Sequence, residues 1–167
     1  MSEFMQGNDG WIDDPEGVEK VMETLPFPIF QDIWSPIKDT GKGKCILLYE
    51  YMRKASEGKY PIRRQTIGDC VSMGAAYAVD AVKSVDIVLK GEFEEWVDET
   101  ATEDIYAGSR VQIGGGRLSG DGSIGAWAAK YVNQYGALAR GKYGNVDLSK
   151  YSGSKARSWG RRGAGVP

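Results

Sequence analysis

Gln65, Asp69 and Cys70 are the residues of this chain whose types and spacing could do chemistry. They lie in the run Gln65-Thr66-Ile67-Gly68-Asp69-Cys70-Val71-Ser72-Met73-Gly74-Ala75-Ala76. A Gly-Asp turn leads into a cysteine, and the cysteine opens a run of small and apolar residues with helical character. A thiol is reactive as its thiolate, and a helix N-terminus lowers a thiol pKa through its N–H groups and macrodipole. A glutamine just upstream can donate a hydrogen bond to a developing oxyanion. The chemistry that fits is acyl transfer through a thioester at Cys70. The usual base for such a cysteine is absent, because the 167 residues contain no histidine.

The elements that must position these residues follow from local patterns. Residues 1–14 are polar and acidic and read as loose. Asp14-Pro15-Glu16 starts a short helix to about Glu23, with an aspartate cap and proline at the first helical position. Leu25-Pro26-Phe27-Pro28-Ile29-Phe30 must be extended, since two prolines exclude helix, and it reads as a packing arm. Gly41-Lys42-Gly43-Lys44 is a flexible basic loop without the spacing of a P-loop. Cys45 to about Ala55 reads as a helix with Ile46, Leu47, Tyr49 and Met52 toward the core and Cys45 as a small buried hydrophobe, ended at Glu57-Gly58-Lys59. Tyr60 to Arg64 is an extended entry to the cysteine motif.

One helix is expected from Cys70 to about Leu89, stopped at Gly91, with Val71, Ala75, Ala78, Val79, Val82 and Val85 as a broad apolar face. Phe93 and Trp96 should cover the core edge. Thr100-Ala101-Thr102-Glu103 fits a capping box for a short helix through Tyr106. A glycine-rich loop over residues 114–122 follows. Ser123 should then cap a helix with Ile124, Trp127, Ala128, Tyr131 and Val132 inward, ended at Gly136. Residues 137–167 read as loop, including Arg161-Arg162 as a solvated turn, and any strands should be few and short. The ending on Gly-Val-Pro reads as a chain cut within a domain.

Two stretches together resemble the papain-like cysteine peptidase family. The first is Gln65…Gly68-Asp69-Cys70 at the start of a long central helix. The second is Ala101-Thr102-Glu103-Asp104-Ile105, a glycine-rich loop, and then Trp127-Ala128-Ala129-Lys130-Tyr131-Val132-Asn133-Gln134-Tyr135-Gly136. Order and spacing agree with that family over about residues 60–145, and its phage and bacterial members look nearer than its secreted ones. The resemblance implies an α+β papain-like fold, mostly its helical left lobe, with the β-rich right lobe missing or truncated. Residues 1–40 would be an N-terminal arm and residues 41–167 the lobe, incomplete at its C-terminus. Cys70 would be the nucleophile, with Gln65 and the Cys70 backbone N–H as oxyanion donors. Gly120, Asp121 and Gly122 would form the cleft wall that binds the substrate backbone.

The implied partners are a peptide or protein substrate and a second chain or C-terminal lobe that completes the cleft. The departures are specific. Gln65 stands five residues before Cys70 where the family usually has six, and Val71 replaces the usual aromatic. Asp69 puts a negative charge beside the thiol, to be offset by Arg63 or Arg64. The family's histidine and asparagine have no counterpart. Two alternatives stand beside the peptidase: a catalytically silent papain-like structural or virion-associated module, and an NlpC/P60-type cell-wall endopeptidase, whose Asp-Cys helix start is similar but which should place sheet strands directly after the central helix.

Composition sets outer limits. A net charge of −2 argues against a nucleic-acid binder. No apolar run is long enough to span a bilayer. Two cysteines, Cys45 and Cys70, make no disulfide framework, and without histidine they build no metal site, so no cofactor is expected. The expected location is the cytoplasm or the inside of a particle assembled there.

Overall fold

The computed structural model describes residues 11–24, 43, 45–90 and 95–161. The expected Leu25–Phe30 arm, most of the Gly41–Lys44 loop, Gly91, Phe93 and Arg162 lie outside the described residues. Among the described residues, six α-helices, one π-helical segment and one small hairpin make a mixed, mainly helical architecture, compatible with the α+β class at that coarse level.

Helix α1 spans Pro15–Met22, and Asp14 caps it by accepting from the Gly17 N–H at 3.1 Å. Ahead of it, the Ile12 N–H donates to the Ser123 carbonyl. The Trp11 ring lies over Gly125, where a Cβ would come within 2.6 Å of it. Helix α2 spans Leu48–Ala55, three residues later than expected, and ends at Glu57 and Gly58, both at positive φ. Only Met52 of its expected core residues is buried. Ile46, Leu47 and Tyr49 are exposed, and so is Cys45, which corrects its reading as a buried hydrophobe.

Helix α3, Cys70–Lys90, is the central element and packs against α2 and two later helices. Its sheltered side is only partly the expected apolar face: Val71 is buried and Ala75 packs on the core, but Ala78 and Val82 are exposed. Ser72, Ala76, Asp80 and Ser84, spaced by four, are fully buried, whereas Val82 is 64% and Leu89 67% exposed. The apolar period told where the helix runs. The buried stripe is decided by partners from elsewhere: Asp80 accepts from Tyr60 Oη at 3.0 Å, from the Thr100 N–H and hydroxyl, and from Arg63.

After α3 the described chain is irregular and then helical. Trp96 covers the core edge by packing edge-on to Tyr60, with Lys83 over its ring. Helix α4, Glu103–Gly108, is buried throughout. Its capping box does not form as expected: Thr100 is committed to Asp80, Thr102 is the N-cap, and Glu103 accepts from the Thr102 N–H at 3.1 Å. The helix runs into a π-helical segment, Ser109–Ile113. Helix α5, Gly125–Tyr135, carries Trp127, Ala128 and Tyr131 inward as expected and stops at Gly136, φ 81°. Its N-cap is Ile124, not Ser123, whose hydroxyl instead meets that of Ser109 at 2.8 Å. Gly108 lets α4 and α5 approach, since a Cβ there would overlap the Tyr131 ring.

Residues 137–161 are more ordered than a loop. Residues 99–101 bridge to 138–140. Strands β1, Lys142–Tyr143, and β2, Val146–Asp147, form an antiparallel hairpin about Gly144-Asn145. The positive φ of Gly144 alone fits a II′-type turn. Helix α6, Gly153–Trp159, replaces the loop expected where glycines and serines open the run, and Ser152 caps it by accepting from the Lys155 N–H at 3.2 Å.

A chain of buried ions ties these segments together. Arg63 reaches Asp80 and Glu99, and Arg140 reaches Glu99 at 2.9 Å and Glu103 at 2.8 Å. Glu103 also accepts from the Ser152 N–H at 2.7 Å, which fixes the start of α6.

Candidate active site

Cys70 is the first residue of α3 and half-buried, packed against the cluster of Val71, Ala76, Ile105, Ala128 and Tyr131. The turn before it is fixed by its own backbone: the Asp69 N–H donates to the Ile67 carbonyl at 2.8 Å. The Asp69 carbonyl then accepts from the Met73 N–H and the Ser72 hydroxyl. Ile67 is buried against Tyr106 and Ala156, so the turn rests on both α4 and α6.

Asp69 is completely buried, and its partner is neither Arg63 nor Arg64. Arg63 is held by Asp80 and Glu99, and Arg64 is exposed. The expected charge compensation is therefore absent. Instead Tyr151 Oη donates to Asp69 Oδ2 at 2.9 Å and accepts from the Thr66 N–H and hydroxyl. Burial pushes the Asp69 carboxyl up to about 6, with the Tyr151 hydrogen bond acting the other way. Asp104, on α4, is likewise raised to about 6 by burial, against the Leu138 N–H that it accepts.

Both shifts have a definite consequence for folding. A carboxyl with a raised folded pKa keeps its proton when the unfolded chain has lost it. Each group's contribution therefore falls as pH rises from about 4 to about 6 and stays at its lowest above that. Asp69→Asn keeps an acceptor for Tyr151 and removes the charge. It will be more stable than the parent at pH 7, by about 1 kcal/mol or more, and the gain will shrink toward pH 4. Urea melts of the two chains at pH 4, 5, 6 and 7 measure this. A difference that does not change with pH would rule it out.

Gln65 is exposed, and no hydrogen bond holds its side chain among the described residues. The structure does not fix it beside Cys70. Gly120, Asp121 and Gly122, by contrast, are brought up to the turn before the cysteine. The Gly122 N–H donates to Tyr106 Oη at 3.2 Å, and Tyr106 packs on Ile67. The Asp121 carboxylate lies beside Arg157, at 2.9 and 2.6 Å, and beside the Gly68 N–H; these hold it below the usual carboxylate range, Arg157 most strongly.

Two residues that build the site escaped sequence reading. Arg110, in the π-helical segment, donates to the carbonyls of Gly160, Leu118 and Gly120 at 2.9, 3.1 and 2.7 Å and to that of Gly122. It sets the shape of the glycine-rich loop. Tyr151 joins Thr66 to Asp69. Its position in a glycine- and serine-rich run offered no periodic signal, and a tyrosine there was the only hint. Among the described residues no group of acidic or thiol side chains could hold a metal ion, and no helix is long and apolar enough to cross a membrane. No protein-family model, curated protein or solved structure matches the chain.

Proposed function

We propose that this chain is the helical lobe of a papain-like cysteine peptidase, with Cys70 at the nucleophile position. The supporting observation is the meeting of two motifs some fifty residues apart: the Gly68-Asp69-Cys70 helix start and the Gly120-Asp121-Gly122 loop, joined through Tyr106 and Asp121. In this reading the Cys70 thiolate attacks a peptide carbonyl, the oxyanion is met by backbone N–H donation at the start of α3, and Gln65 swings in when substrate binds. The amine leaves, and water releases the acid from the thioester. The proton must pass to a histidine supplied by a completing lobe or a second polypeptide, since the 167 residues contain none.

The alternative of a silent papain-like module has an observation of its own. An ionisable, uncompensated carboxyl stands directly before Cys70, and no histidine answers it. The NlpC/P60 alternative is weaker, because among the described residues after α3 irregular chain from residue 95 and then α4 come next rather than sheet strands.

Labelling with a cysteine-directed epoxide, read by mass spectrometry on the Cys45 and Cys70 peptides, separates the readings. The ionised Asp69 opposes thiolate formation above about pH 6. Asp69→Asn will therefore speed labelling of Cys70 at pH 7.5 several-fold, to the order of tenfold, and leave the exposed Cys45 unchanged. Cys70 that reacts only in urea, in both chains, would make it a structural core residue and remove the peptidase reading.

A further inference from the structure

Between the glycine-rich loop and α6 lies a half-open cavity of about 390 Å³, lined by Tyr106, Arg110, Leu118, Asp121, Arg157 and Arg161 among others. Its charges do not balance. Three guanidiniums face one carboxylate, and that carboxylate is taken up by Arg157. Arg110 is buried, and its hydrogen bonds all go to neutral carbonyls. Carbonyl dipoles satisfy its N–H groups without neutralising its charge; the Asp121 carboxylate is near enough to feel that charge but is bonded to Arg157, and a buried cation without a counter-charge of its own is costly. Arg161, four positions after Arg157, has no ion pair among the described residues.

The backbone adds a second observation. Arg110 is carried by a π-helical segment, in which the Gly114 N–H reaches back to the Ser109 carbonyl. Such segments are uncommon and concentrate at functional sites, where the extra residue re-aims a side chain. Here it aims Arg110 beneath the loop. Leu118 and the Tyr106 ring give the cavity an apolar side, and Ser119 adds a hydroxyl.

We infer that this cavity binds an oxyanion group, a phosphate or carboxylate carried on a small organic body, gripped by Arg157 and Arg161 above the buried charge of Arg110. The planar forks of arginine match either group with paired hydrogen bonds. The bound anion adds negative charge beside Arg110, which otherwise shares Asp121 with Arg157. Asp121 holds Arg157 in place and competes with the anion for it. The inference does not depend on Cys70.

The test is titration of the full chain with inorganic phosphate, phenyl phosphate and glutarate at constant ionic strength, followed by the arginine Nε–H resonances and by calorimetry. The expected result is saturable binding of at least one probe. Phenyl phosphate the tightest assigns a phosphate ester; glutarate the tightest assigns a carboxylate. Arg161→Gln, which removes no ion pair among the described residues, will weaken binding about tenfold, as the loss of one charge-assisted contact requires. Arg157→Gln will weaken it at least as much, because it also leaves Asp121 unpaired beside the anion. Lys59→Gln, in the turn after α2, controls for net charge and will leave affinity unchanged. Saturable binding by none of the probes, or equal affinity in the parent and in Arg161→Gln and Arg157→Gln chains of unchanged circular dichroism, would overturn the inference.

Discussion

Arg140→Ala will remove roughly 3–5 kcal/mol of folding stability, the range found when one member of a buried ion pair is deleted. That is a large part of the about 5–15 kcal/mol that holds a domain of this size together. Arg140 is 5% exposed and sits between two carboxylates, Glu99 at 2.9 Å and Glu103 at 2.8 Å, with the Leu148 carbonyl at 3.3 Å. Its removal strands Glu103, which is fully buried and has no second guanidinium among the described residues. Glu99 fares better, because Arg63 still holds it at 2.9 Å. Arg140→Lys will recover little, since one ammonium cannot bridge both carboxylates as the fork does. Arg140→Met combined with Glu103→Gln will recover part of the loss by discharging the stranded group. Urea unfolding of the four chains measures this. A loss below about 1 kcal/mol for Arg140→Ala would mean that solvent screens these pairs as it does at a surface.

The second large effect concerns Arg110→Met. The replacement keeps an apolar stem of similar length but abandons four carbonyls, those of Gly122, Gly120, Leu118 and Gly160. A buried acceptor left unmade costs about 1–3 kcal/mol. The loop is partly exposed and can turn some of its carbonyls to water, so the expected total is about 2–4 kcal/mol. The loss has a location as well as a size. Hydrogen exchange will quicken first over residues 117–122 and at the end of α6, with α3 and α5 still protected at the new global limit. Uniform loss of protection, with no excess at the loop, would show that Arg110 does not shape it.

Both variants act on residues whose importance local sequence could not reveal, and the reason is physical. Helix α1 was legible because Asp14 and Pro15 act on their own neighbours. The span of α3 and the inward face of α5 were legible because periodicity is a local property. Burial of Ser72, Asp80 and Ser84 was not, because a polar stripe turns inward only when Arg63, Tyr60 and Thr100 arrive to meet it. Thr100 and Ser123 carried good capping signals and were claimed by tertiary partners instead. The cysteine turn and the glycine loop could each be located in the sequence. What joins them, Tyr106 with Ile67 and Asp121 with Gly68, depends on contacts across some fifty residues.

The buried ion chain also has a meaning in time. Arg63 pairs with residues 17 and 36 positions on, and Arg140 with residues 41 and 37 positions back. Closing such separations is entropically expensive early in folding. A chain emerging from the ribosome has made Arg63, Asp80 and Glu99 early, but Glu103 pairs with Arg140, made 37 residues later, and its carboxylate remains hydrated until Arg140 arrives. Glu103 and Arg140 therefore enter the interior last. They act as a latch on the finished fold, slowing its escape more than they hasten its formation.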